Sequence, residues 1–118
     1  MPDPQPVVVV IGVDPRTSGR AFEAMRIGVG VVAGENEVTF VLRGPAVHLL
    51  DGDTDDLVDG DDIAKFRANL KRLEIPFHVE SSDVPADPGW NADRHPLRQI
   101  SRADVIALIR ASRRVLAF

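Results

Sequence analysis

The residues able to do chemistry sit at the breaks between apolar runs. Asp14, Arg16, Thr17 and Ser18 follow the run Val7 to Ile11; Arg43 and Gly44 follow Val38 to Leu42; Ser81, Ser82 and Asp83 follow Phe77 to Glu80. If those runs are parallel strands, the three breaks meet at the carboxyl edge of one sheet, where open α/β folds bind ligands. Ser18 and Gly19 would then offer backbone N–H groups at a helix start, and Arg16 or Arg43 would add positive charge. Asp14, Arg16, Thr17, Ser18, Arg43, Gly44, Ser81 and Ser82 are therefore the candidate ligand-binding residues, for a small anion or a nucleotide. Caps and turns call for the same residue types, so the pattern alone does not assign a ligand.

Other constellations are weaker. Asp51, Asp53, Asp55, Asp59 and Asp62 fall at positions one, three, five, nine and twelve of a calcium-loop pattern, but Asp56 stands where the sharp turn needs glycine. Asp62 also lacks the reach of the usual bidentate glutamate, so a solvated loop is the expectation over residues 51–62. Gly28-Val29-Gly30-Val31-Val32-Ala33 spells a dinucleotide fingerprint, yet it lies where a helix ends instead of where one opens. Close helix packing through the two glycines is the simpler account. His48, His78 and His95 lack the spacing of a metal pair, and no nucleophile elbow or pair of catalytic carboxylates stands out. No catalytic residue, metal or cofactor is expected, and an enzymatic role is disfavoured. Trp90, beside Gly89 and Asn91, reads as a packing or subunit-contact anchor.

Composition narrows the classes further. The chain has 118 residues, enough for one core, and no window approaches the length of a membrane span. Seven of its 18 acidic residues are aspartates between Asp51 and Asp62, and without them the net charge of -4 becomes +3. Arg94, Arg98, Arg102, Arg110, Arg113 and Arg114 crowd the other end, but aromatics make up only 5%, which argues against nucleic-acid binding. With no cysteine, disulfides, thiolate metal sites and cysteine nucleophiles are closed to this chain. The cytoplasm is the expected compartment. Residues 1–6 read as a disordered lead and residues 7–118 as a single domain.

The elements that would carry these sites follow from periodicity. Val7 to Ile11 predicts a strand buried on both faces, and Phe22, Met25, Val29 and Val32 predict a helix capped by Thr17 or Ser18. A smaller second stripe on that helix, Ala24, Ile27, Gly28 and Val31, demands further cover. Gly34-Glu35-Asn36 stops it, and Glu37 to Leu42 is a second strand. Pro45 opens a short helical segment through Leu50. Asp61 or Asp62 caps a helix with Ile63, Phe66, Leu70 and Leu73 inward and Lys65, Arg67, Lys71 and Arg72 toward water. Phe77 to Glu80 and Gln99-Ile100 are short strands separated by a long, proline-interrupted segment. Ser101 and Asp104 form a capping box for a last helix with Val105, Leu108, Ile109 and Ser112 inward, and Val115 to Phe118 closes the chain as a strand. The sum is α/β: a three-layer α/β/α sandwich with a mostly parallel sheet of about five strands.

Taken together, the valine-rich first strand, the proline- and arginine-containing loop, the helix Ala21-Phe22-Glu23-Ala24-Met25-Arg26, and Val38 to Leu42 leading into Gly44 to Leu50 resemble the DsrE/DsrF/DsrH-like family. The ending, Ile100-Ser101-Arg102-Ala103-Asp104 into a helix and then Arg114-Val115-Leu116-Ala117-Phe118, is similar to that family's C-terminus. The resemblance implies a five-stranded parallel sheet and assembly as a homo-oligomer, a trimer or hexamer, or with a related DsrE-like subunit. Sulfur-relay members carry a persulfide on a cysteine just after the third strand; Val79 to Ser81 holds none here, and a serine hydroxyl cannot replace a thiolate in that exchange. The expected function is thus a non-catalytic, cysteine-less DsrE-like interaction domain, with small-anion or nucleotide binding as the alternative.

Overall fold

A computed structural model describes residues 6–34 and 37–118. In chain order it contains β1 (Pro6–Ile11), α1 (Arg20–Ala33), β2 (Glu37–Leu42), a 3-10 turn (Gly44–Leu50), α2 (Gly60–Arg72), β3 (Phe77–Glu80), β4 (Leu97–Ile100), α3 (Arg102–Ala111) and β5 (Arg114–Ala117). The five strands form one sheet in the order β4-β3-β2-β1-β5, parallel at every pairing. The expected lead lies outside the described residues except at Pro6. That residue opens β1 opposite Glu37 and accepts the Arg113 N–H at 2.9 Å, so the strand begins one residue earlier than its apolar run. A proline suits the first strand position because no ladder donor is needed there. Glu35 and Asn36 of the expected helix stop also lie outside the described residues, while Gly34 caps α1 as anticipated.

Strand order decides where the helices go. The chain steps from β1 to β2 to β3 in one direction, and right-handed crossovers then put α1 and α2 on the same face. After β4 it turns back past β1 to β5, which places α3 on the opposite face. Packing agrees: Val9, Ile11, Phe40, Leu42, Phe77 and Val79 face Met25, Ile63 and Leu70 in the main core. Val8 and Val41 face Val105 in a much smaller one. β1 is therefore buried on both sides, as its unbroken apolar run predicts. Phe22 of α1 meets Phe66 of α2 edge to face at 5.2 Å, so neighbouring α2 supplies part of the cover that α1 requires. Gly28 lies against the Phe40 ring, where a Cβ would overlap it, whereas Gly30 has open space beside it; only the first of the two glycines serves close packing.

The predicted caps of α1 and α2 both move. Thr17 and Ser18 donate their N–H groups to the Asp14 carbonyl in a turn ahead of α1, and Gly19 takes the cap position with no side-chain bond. α2 starts at Gly60 with Asp59 as its cap in the left-handed region, at φ 60. Asp61 and Asp62 instead occupy the first turn, where carboxylates favour the positive end of the helix dipole. Gly60 is obligatory there, because a Cβ would run into the Thr54 carbonyl. Leu73 caps the far end and is exposed. The capping box of α3 forms as predicted, with Ser101 and Asp104 exchanging bonds at 3.1 Å.

Arg67 reverses its expected role. It is 4% exposed, and its guanidinium donates to the carbonyls of Leu49 at 2.9 Å and Asp51 at 2.7 Å and to the Asp93 carboxylate at 2.6 Å. It thereby ties α2 to the end of the 3-10 turn and to the segment 81–96 that joins β3 to β4. Trp90 of that segment donates its indole N–H to the Val47 carbonyl at 2.7 Å, and the Asn91 side chain brackets the His95 backbone. His95 is buried, bonds the Ile75 carbonyl at 2.9 Å and packs on Phe77 with ring centres 4.8 Å apart.

Two outcomes follow from this lock. Arg67→Met keeps the aliphatic stem but leaves buried carbonyls unpaired, and should cost about 3 kcal/mol in urea denaturation while raising amide exchange across 81–96. Burial, reinforced by the charges of Arg67 and Lys71, holds the His95 pKa below its ordinary 6.5 against the opposing pull of the Ile75 carbonyl. His78 is lowered in the same way, by burial and then by Arg98. A base whose folded pKa is depressed favours the neutral form, so the stability it contributes is complete above 6.5 and is lost as pH falls through the folded value. Unfolding free energy measured across a pH series should decline below 6.5 by up to about 1.4 kcal/mol per pH unit for each histidine. His95→Gln should flatten that slope.

Candidate functional site

Parallel strands in register bring the three candidate loops to one edge of the sheet. The Asp14 carboxylate collects three donors from Arg16: its backbone N at 2.9 Å, Nε at 3.0 Å and Nη2 at 2.9 Å. That bonding holds the Asp14 pKa below the usual carboxylate value, and it commits the Arg16 guanidinium to its own loop. Thr17 Oγ1 donates to the Asp14 carbonyl at 3.4 Å, and Ser18 Oγ accepts the Arg20 N–H at 3.2 Å. The second and third loops are stitched together. Gly44, at φ 53, donates its N–H to the Asp83 carboxylate at 3.0 Å, and Ser81 Oγ lies 3.5 Å from the Ile100 carbonyl. Ser82 is exposed beside them.

Most donors proposed for a ligand are thus already engaged. The exception is Arg43, half-buried, whose Nε has no partner among the described residues. It stands one residue beyond the Leu42–Val79 pair, and Glu80 is its counterpart on β3. Glu80 is buried with Oε1 likewise unpartnered. No ion pair joins the two among the described residues, so this edge keeps an unpartnered Nε and an unpartnered carboxylate oxygen at neighbouring register positions.

The acidic loop carries hydrogen bonds of its own. Asp53 accepts the Asp55 N–H at 2.9 Å, Asp51 pairs with His48 Nδ1 at 3.1 Å, and Leu57 is buried in the main core. Among the described residues no three histidine or carboxylate side chains gather closely enough to hold a metal, and no helix is long and apolar enough to cross a membrane. Trp90 is half-buried and anchored within its own chain.

A surface that sequence reading did not single out lies on α3. Ala103, Val105, Ile106, Ala107, Leu108, Ile109 and Ala111 make this ten-residue helix mostly apolar, yet Val105 alone is buried. Ile106 is 46% exposed, and Val115, on the same face of neighbouring β5, is 40% exposed. Between α3 and the outer strands β3 and β4 runs a groove of about 440 Å³, lined by Ile100, Ala107 and Leu108 on its apolar side and by His78 and Arg98 on the other. Ile106 and Val115 thus leave aliphatic surface on this side of the sheet open to solvent. The signal was present in the sequence: a helix apolar on nearly all sides has more to bury than one sheet can take.

No protein-family model matches the sequence, and no curated protein matches it. Among solved structures the chain is similar to the crystal structure of the ychN protein from E. coli, with a TM-score of 0.76 and 16% identity over 97% of this chain and 99% of that one. Agreement across both whole chains at so low an identity is a statement about architecture, and it is the architecture that the sequence resemblance implies. The chain shares the fold of ychN, and its own architecture is a five-stranded parallel sheet between helical layers.

Proposed function

We propose that this protein is a DsrE-like interaction domain that assembles with copies of itself, and that it carries no sulfur-transfer chemistry of its own. The observation behind this reading is the uncovered apolar face formed by α3 and the outer side of β5. Burying exposed aliphatic area contributes roughly 25 cal/mol per Å², and a second protein surface is what a face of this breadth fits. Sulfur relay through a persulfide needs a thiolate, and the segment Val79 to Ser81, like the rest of the chain, offers none. Native mass spectrometry should find an oligomer at multiples of the bare chain mass. Ile106→Asp should shift it to monomer without loss of fold, because Ile106 contributes almost nothing to the chain's own core. A wild-type monomer at micromolar concentration would sink the reading.

A second reading rests on a separate observation, the unpartnered Nε of Arg43 at the carboxyl edge. There the protein binds a small anion, with Arg43 supplying the charge and Ser81 and Ser82 flanking it. Thermal-shift titration with inorganic phosphate should show saturable stabilisation that disappears in Arg43→Ala. A flat titration in the wild type rules this reading out.

A further inference from the structure

The α3 face is unusual in its charge as well as its apolarity. Arg102 and Arg110 lie on the exposed side of the helix, and Arg113 follows its end; all three are exposed, and none has an ion-pair partner among the described residues. The opposite excess sits across the molecule. Asp53, Asp55, Asp56, Asp59, Asp61 and Asp62 are exposed in and after the loop leading to α2, with no basic side chain paired to them among the described residues. Val58, in their midst, is 36% exposed. Each patch therefore sets an apolar side chain among charges mostly of one sign, basic around Ile106 with Asp104 the exception and acidic around Val58 with Arg20 the exception, and the two excesses are opposite. That is the composition of a complementary pair of interface halves.

The two halves cannot meet within one chain. Leu57 anchors the acidic loop in the main core beside α1 and α2, and the Val58 N–H bonds the Pro15 carbonyl at 2.8 Å, which fixes the loop on that side of the sheet. α3 packs on the other side. A two-fold contact of α3 on α3 would set arginines against arginines. We infer that the α3 and β5 face of one copy receives the aspartate-rich loop of the next, Val58 meeting the aliphatic surface around Ile106 while the carboxylates meet Arg102 and Arg110.

This deepens the assembly reading above and rests on it. Contact between two different patches is heterologous, so it closes into a ring or runs on, and it does not end at a two-fold dimer. The apolar centre supplies the affinity; the charges set orientation and partner choice, since exposed pairs add little net energy.

Charge reversal tests the pairing on the full chain. One variant carries Asp55→Lys and Asp56→Lys, a second carries Arg102→Glu and Arg110→Glu, and a third carries all four changes. Native mass spectrometry, with circular dichroism as the check on folding, should show the first two reduced to monomers and the third restored to the wild-type stoichiometry, because its reversed patches again complement each other. Wild-type assembly should also weaken as salt is raised. If the wild type is an oligomer and the single-patch variants keep its mass, the loop-to-helix pairing is wrong while the assembly reading stands. Dissociation of the single-patch variants without recovery in the fourfold variant equally overturns the pairing. A monomeric wild type overturns both.

Discussion

Everything uneven about this molecule traces to the handedness of its crossovers. Right-handed connections fix the face on which each helix returns, and the order β4-β3-β2-β1-β5 sends the chain one way three times and back once. The forward steps put α1, α2 and the segment 81–96 on one face; the single return leaves α3 alone on the other. Five strands are then covered by two helices and a packed loop on one side and by one ten-residue helix on the other. The main core holds the phenylalanines, Met25 and most of the leucines, and the opposite core holds three buried valines. No local adjustment can even this out without changing the order of the strands.

The step from β3 to β4 is the second place where the fold departs from the repeating unit. A parallel connection normally uses a helix, which satisfies its own backbone and presents one apolar stripe. Here the connection is irregular, so its polar groups need other partners. Asn91 donates to the Leu50 carbonyl at 2.7 Å, Gly52 donates to Gly89 at 2.8 Å, and Arg67 and Trp90 donate to carbonyls within the 3-10 turn and just after it. A buried charge is tolerable because Arg67 gives three hydrogen bonds to oxygen, one of them to the Asp93 carboxylate. Removing one member leaves the rest desolvated, so the segment holds as a unit and loosens as a unit.

The sequence made the elements legible because their signals are local. A valine run, a capping box at Ser101 and Asp104, and the helix-to-turn change at Gly34 each announce themselves within a few residues. Arg67 shows where residue type misleads and spacing does not. Positions 63, 67 and 70 fall on one face of α2, so helical spacing points Arg67 inward between Ile63 and Leu70, while its charge argues for water. Its partners at Leu49, Asp51 and Asp93 come from distant segments, and no pattern along the chain could reveal them. The cap of α2 slipped for a related reason: the space under Gly60 is occupied by the Thr54 carbonyl, a contact created only when the acidic loop folds back. The candidate edge was legible in location, since parallel strands must align their ends, but not in occupancy. That Arg16 would turn onto Asp14, and that Gly44 would spend its N–H on Asp83, depends on loop geometry that composition does not encode.

Those internal bonds bear on what the fold is used for here. A site built to take a charged ligand holds its donors ready and unmet, at a cost in stability that binding repays. The loops at this edge instead satisfy one another across the Asp14 to Arg16 and Gly44 to Asp83 contacts, leaving Arg43 and Glu80 as the unspent pair. On the α3 side the balance is the reverse, because aliphatic side chains stand exposed near arginines that have no ion-pair partner among the described residues. Free energy still available to this fold therefore lies mainly on its surface layer and only at one point of its ligand edge. A chain that lacks the thiol for sulfur chemistry thus leaves, outside its core, a face that sets the aliphatic side chains of Ile106 and Val115 near exposed arginines.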